Sequence, residues 1–256
     1  MAVSFVQAYS TDDDAPADGV LDVVNVDGGA GNFLIIIATW RDSPVNTISS
    51  VTYGGSATGI TAIETKVANG GGATAAYYLI APAGTETVSV TWASTPANMQ
   101  VTVLVFSGVH QSAPLGTHAT GTGNTTLTST AAVTSTADGM VVDGIGVRGS
   151  PGTITADGGQ TERSTQAASG SMHHRTSTEP GAASVAMGWS WTNGTSYTHI
   201  VVPLEPAEDA SEPFKSMLST PARGIAPTPQ MPFPNTASLL TTPPPFFIQI
   251  GAKQVH

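Results

Sequence analysis

Two hydrophobic patterns recur over the first 204 residues. In Thr87-Val88-Ser89-Val90-Thr91-Trp92 polar and apolar residues alternate with a period of two, as expected of a strand that buries one face. Val185, Met187, Trp189 and Trp191 keep the same spacing further on. Residues 33–39, 101–106, 140–147 and 200–204 are instead apolar at almost every position. They are short and rich in β-branched side chains, so they are predicted to be central strands covered on both faces.

Turn chemistry separates these runs. Asp27-Gly28-Gly29, Tyr53-Gly54-Gly55, Asn69-Gly70-Gly71-Gly72, Pro82-Ala83-Gly84, Gly121-Thr122-Gly123-Asn124 and Pro151-Gly152 are the candidate turns, because glycine supplies the positive φ that tight hairpins require. The spacing predicts about fourteen strands arranged as a sandwich. No segment carries a helical period of useful length. The expected fold class is all-β: a two-sheet, jelly-roll-like sandwich over residues 1–204, followed by an extended Pro-rich C-terminal arm over 205–256.

Composition agrees with that division. Of 256 residues, 10% are charged, 28 are Gly and 18 are Pro, a mix poor in the residues that favour long helices. With no cysteine, disulfides and thiolate metal sites are unavailable. The net charge of −10 argues against a nucleic-acid partner, whose phosphates are neutralised by Lys and Arg. The opening MAVSFVQAYS carries no signal-peptide pattern. The longest apolar run, FLIIIA, is far shorter than the ~20 residues of a membrane-spanning helix, so no membrane partner is expected. Residues 1–204 hold fourteen acids and five bases, whereas 213–256 hold three bases and no acid.

The ordered blocks NFLIIIATWRDSPVNTISSVTYGGSATGITAI, AAYYLIAPAGTETVSVTWAS, VLVFSGVHQSAPLG, GMVVDGIGVRG and HHRTSTEPGAASVAMGWSW resemble a jelly-roll-like β-sandwich module. That module is found in bacteriophage virion structural proteins and in bacterial surface or secreted proteins. The resemblance covers residues 1–204 and leaves the arm outside. It implies a structural or binding role on a particle or cell surface, and it brings no catalytic signature with it.

Candidate chemistry is sparse. His173 and His174 are adjacent and so point to opposite faces of a strand. With His110, His118 and His199 scattered, zinc's three or four converging ligands are not assembled, and the histidines are expected at the surface or in turns. Asp12-Asp13-Asp14 lacks the spacing of a calcium loop and reads as a solvated connection between the first two strands. No carboxylate pair among Glu64, Glu86, Glu162 and Glu179 stands out for glycoside hydrolysis, and GxSxG is absent. Trp40, Trp92, Trp189, Trp191, Tyr53, Tyr77 and Tyr78 could line a sugar-binding face. The parity of Trp92, Trp189 and Trp191 with neighbouring core positions favours core packing instead. No enzyme activity and no cofactor are expected.

The arm holds ten of the eighteen prolines and four of the seven phenylalanines. Its apolar residues Phe214, Met217, Leu218, Met231, Phe233, Leu239, Leu240, Phe246, Phe247, Ile248 and Ile250 are the candidate partner-binding residues. Burying four Phe side chains stabilises by about 6–12 kcal/mol, less than the ~1–2 kcal/mol per residue lost in fixing the backbone. The arm therefore needs enclosure or main-chain pairing, and neighbouring polypeptides could supply it. The expected role is that of a non-enzymatic structural protein of a bacteriophage virion. It would be made in the host cytoplasm and placed on the capsid surface as a decoration or cement protein, a homo-oligomer held by the major capsid protein or other virion proteins. The alternatives are a carbohydrate-binding or adhesive module of a bacterial surface protein, or a phage tail or fibre component.

Overall fold

The computed structural model describes residues 1–42, 46–128, 130–167 and 172–208, with Lys66 and Ala167 as backbone only. All of them lie within one unit, Met1–Glu212. Fourteen strands and no helix are found among these residues. The first eight are β1 (Ser4–Asp13), β2 (Val20–Asp27), β3 (Phe33–Arg41), β4 (Ile48–Tyr53), β5 (Ile60–Asn69), β6 (Gly72–Ile80), β7 (Thr85–Trp92) and β8 (Asn98–Ser107). The rest are β9 (Ala119–Leu127), β10 (Met140–Arg148), β11 (Ile154–Ala156), β12 (Thr161–Ala167), β13 (Met172–Pro180) and β14 (Trp189–Leu204). Every pairing is antiparallel.

The expected all-β sandwich is present, with three sheets where two were expected. One sheet runs β1-β8-β3-β6-β5, a second β2-β7-β4, and the third β11-β14-β10-β13-β12 with β9 also on β14. The orders 1-8-3-6 and 2-7-4 arise because the chain steps between facing sheets at almost every connection, as in a jelly roll. Only β5 departs from this alternation, staying beside β6.

The third sheet repeats the first. Phe33 of β3 faces Ile80 and Phe106, and Arg41 faces Gly72. Met140 of β10 faces Pro180 and Leu204, and Arg148 faces Met172. Both nine-residue strands end on an arginine, Arg41 and Arg148, and in the sequence each arginine opens an Arg-x-Ser-Pro string, Arg41-Asp42-Ser43-Pro44 and Arg148-Gly149-Ser150-Pro151. Even a register break recurs, between Ala62 and Glu64 in β5 and between Glu162 and Ser164 in β12. Thus β9, β14, β10, β13 and β12 correspond to β1, β8, β3, β6 and β5. The chain contains two jelly-roll-like units in tandem. The second has a reduced outer layer: β11, the Trp189–Trp191 stretch of β14 that pairs with it, and a bridge from Val133 to Val185.

The two units pack back to back, which explains the doubly apolar strands. Along β3, Leu34, Ile36, Ala38 and Trp40 face the first unit's own core with Val88, Val90 and Trp92. Phe33, Ile35 and Ile37 face the other way and meet Val142, Ile200 and Val202 of the second unit. Gly144 lies under Ile37: a Cβ there would sit 2.6 Å from Ile37 Cγ2. The far end of this interface is polar. Thr74 and Thr198 hydroxyls are 2.7 Å apart, Gln100 Nε2 donates to Met172 O at 3.0 Å, and Ser164 Oγ lies 2.8 Å from Ser10 Oγ and 2.9 Å from Thr102 Oγ1.

Two local expectations are corrected. Gly121-Thr122-Gly123-Asn124 is not a turn but lies inside β9; a Cβ on Gly123 would stand 2.7 Å from the Tyr197 ring, so glycine there permits close approach rather than reversal. Asp12 and Asp13 close β1, opposite Gln100 and Met99, and only Asp14 follows the strand.

Candidate functional site

The one break in the jelly-roll alternation opens a groove. β4 pairs with β7, while β5 crosses to β6. The crossover starts in a tight turn, with Tyr53 and Ser56 exchanging backbone hydrogen bonds of 2.8 and 3.1 Å, and it uses positive φ at Gly54, Gly55 and Gly59. Among the described residues β4 is therefore the last strand of its sheet. Such an edge presents unpaired N–H and C=O groups.

Beside that edge lie two depressions end to end. One, of about 320 Å³, is lined by Ile48, Ser50, Val51, Ile60, Ala62 and Tyr77 among others. The other, of about 350 Å³, includes Tyr53, Gly59, Leu79, Pro82 and Glu86. Ile48, Tyr53, Ile60 and Tyr77 also pack against the first unit's core, so the groove is the open side of that core. Burial pushes the Tyr77 phenol above its ordinary pKa, with nearby Glu64 adding to the effect.

In the second unit the equivalent connection, between β11 and β12, is tied down by hydrogen bonds among the described residues. Asp157 N donates to Gly188 O at 2.9 Å. Gln160 Nε2 donates to Ser177 Oγ at 2.7 Å, and its Oε1 accepts from Gly188 N at 2.7 Å. This side chain thus bridges β13 and the Gly188 backbone from the connection that corresponds to residues 54–59 of the first unit.

The most organised polar chemistry lies inside the second unit. Asp143, with no solvent exposure, accepts from Ser177 N at 2.9 Å, Ser177 Oγ at 2.6 Å, Trp189 Nε1 at 2.6 Å and His199 Nε2 at 2.8 Å. With Nε2–H directed at Asp143, His199 Nδ1 accepts from the Thr130 hydroxyl at 2.7 Å. A hydroxyl, an imidazole and a carboxyl in line can activate a nucleophile. Here His199 and Asp143 are fully enclosed. The nearby cavity of about 490 Å³, bordered by His118, Ala131, Val133 and Glu205, touches neither of them nor Thr130. The network instead braces the interior. It separates an apolar cluster of Val141, Met187 and Val201 from one of Ile145, Val147 and Tyr197. Burial, with Asp143 adding to it, pushes the Glu179 carboxyl up.

The candidate residues distribute as follows. His174 and His199 are buried, against the expectation that the histidines lie at the surface or in turns. His174 Nε2 lies 3.0 Å from Thr102 Oγ1 between the two units, and desolvation, with Arg175 second, lowers its pKa to about 3. Among the described residues, no cluster of His, Asp or Glu could hold a metal ion. Trp92, Trp189 and Trp191 are core residues, as their parity suggested, and Trp40 joins them, edge-on to Trp92 with centroids 6.0 Å apart. Trp40 therefore cannot belong to a sugar-binding face. Tyr78 is half-buried and stacks on Phe33. The eleven apolar arm residues from Phe214 to Ile250 lie outside the described residues. The groove is not legible in the hydrophobic pattern, because it depends on β5's partner and on the internal repeat; the paired Arg-x-Ser-Pro strings are the sequence signal of that repeat. No protein-family model matches this chain, and neither curated proteins nor solved structures yielded a significant match.

Proposed function

We propose that this chain is a non-enzymatic structural protein of a bacteriophage virion, a capsid decoration or cement protein anchored through its C-terminal arm. The observation that carries this reading is the contrast between body and arm. Among the described residues the body's apolar clusters run from Val3 to Leu204, and the sequence beyond is apolar, proline-rich and free of acids after Glu212. Jelly rolls serve as capsid domains and also as lectins, so the fold allows this role without selecting it. The acidic body supports solubility and disfavours nucleic acid. The apolar arm, free of acids from residue 213 on, suits docking on the major capsid protein, other virion proteins or sister copies.

The test is removal of residues 209–256. This cut spares Glu205 and Ala207, whose backbone N–H groups donate to Pro114 O and Gly108 O. The truncated chain should fold and fail to join particles; full occupancy on capsids would refute the reading. The carbohydrate-binding alternative has one favouring observation, the groove containing Tyr53 and Tyr77. It predicts glycan binding lost on Tyr77→Ala.

A further inference from the structure

The groove beside β4 has the features of a strand-acceptor site. It joins a sheet edge that no other described strand pairs with, an apolar floor and a length of six residues in β4. In an eight-stranded jelly roll the position next to β4 would be filled by the following strand, but β5 has moved to the opposite sheet. We propose that the segment 246–250 of a second copy of this chain fills that position as an added strand of the β2-β7-β4 sheet. This rests on the arm-anchoring function proposed above and names one of its partners.

Three observations point to this occupant. The first is pattern. Phe246, Ile248 and Ile250 alternate with Phe247 and Gln249, so a strand here can turn three apolar side chains toward Ile60, Ala62 and Tyr77, with Phe247 and Gln249 on the opposite face. Pro243, Pro244 and Pro245 precede it and hold the approach extended. The second is reach. The described body ends at residue 208, and 38 residues at ~3.3 Å each allow ~125 Å before Phe246, enough to cross to a neighbouring copy. The third is charge. Glu86 borders the groove and Glu64 lies near Tyr77, while the arm from residue 213 carries Lys215, Arg223 and Lys253 and no acid. The second unit serves as the internal control, because its edge strand β11 has only three residues and the connection after it is tied to β13 through Gln160 and Ser177.

The absence of cysteine from the chain makes the test clean. Full-length Ser50→Cys and full-length Gln249→Cys proteins are mixed and oxidised with copper phenanthroline. Strand addition between copies predicts a covalent heterodimer on non-reducing gels. Its yield should exceed by at least about tenfold that of Gln249→Cys mixed with Thr155→Cys, an exposed position on β11, because docking raises the local thiol concentration. Equal yields at the two positions, or no heterodimer, would overturn the proposal. So would a Ser50→Cys/Gln249→Cys double variant that closes only within one chain. Ile248→Asp should abolish the heterodimer when placed in the Gln249→Cys copy. If the cross-link fails while truncation at 208 still prevents particle joining, the docking mode is wrong and the anchoring function stands. If the cross-link forms and the truncated chain still joins particles, the acceptor site stands and the anchoring function falls.

Discussion

Asp143→Ala is the sharpest probe of the second unit. The carboxyl is fully buried and accepts four hydrogen bonds of 2.6 to 2.9 Å, from the Ser177 amide and hydroxyl, the Trp189 indole and the His199 ring. Removing it leaves four donors facing a small void. Each orphaned buried donor costs about 1–3 kcal/mol. Rotation of the Ser177 hydroxyl and entry of a water would recover part of that, so the expected loss is ~3–6 kcal/mol. Set against a typical total of ~5–15 kcal/mol, that loss is large. Asp143→Asn keeps the shape and one acceptor oxygen but turns an NH₂ toward existing donors, and should lose roughly half as much. The first unit suggests a compensated design, since Ile36 and Val101 occupy the places of Asp143 and His199 in the matching registers. Asp143→Ile combined with His199→Val should therefore cost less than Asp143→Ile alone, because both ends of the strongest pair become apolar together. Urea unfolding followed by tryptophan fluorescence measures each value. A loss below about 1 kcal/mol for Asp143→Ala would refute the idea that the network braces this core.

Two further predictions follow from the interface between the units. His174 is held neutral, with its pKa near 3 in the folded state against an ordinary value of 6.5. The unfolded chain takes up the proton first as pH falls. Stability is thus full above about pH 6.5 and declines toward pH 3, with a slope of up to ~1.4 kcal/mol per pH unit from this group. Thr74 stands at the matching position of β6, so His174→Thr should flatten that limb in urea midpoints measured across pH; an unchanged slope would count against it. Gly144→Ala places a methyl 2.6 Å from Ile37 Cγ2 and 2.8 Å from Cδ1. It should cost ~1–3 kcal/mol by overpacking, and a cycle with Ile37→Ala should show a favourable coupling of about 1 kcal/mol. Strict additivity of the two changes would show that the side chains do not share the space.

The central strands were legible because burial on both faces removes polar residues from both parities, as in Phe33-Leu34-Ile35-Ile36-Ile37-Ala38. Trp92, Trp189 and Trp191 were legible for a related reason, since each shares parity with apolar neighbours; Trp40 lies outside that reading and is buried as well. The duplication was hidden because strand pairing constrains register more tightly than side-chain identity. β3 and β10 match position for position, yet Ile36 corresponds to Asp143 and Ala38 to Ile145. The buried histidines are not legible from residue type, because a neighbouring hydroxyl, buried at Thr102 and half-buried at Thr130, can satisfy an imidazole. The groove depended on a choice of partner by β5, which hydrophobic pattern does not encode when both neighbouring sheets offer an equivalent edge.

The meeting of Ile37 with Gly144 carries a consequence for the ancestry and engineering of such a chain. The two residues hold the same rank in matching strands and face one another across the midline. In a dimer of identical subunits that place would confront isoleucine with isoleucine, which collides, or glycine with glycine, which leaves a hollow. Tethering both halves in one polypeptide lifts this restriction, because a bump on one side can then meet a dent on the other. Splitting the gene between the units and mixing the products should accordingly favour hetero-pairing over self-pairing, with the shape of one glycine as part of the address.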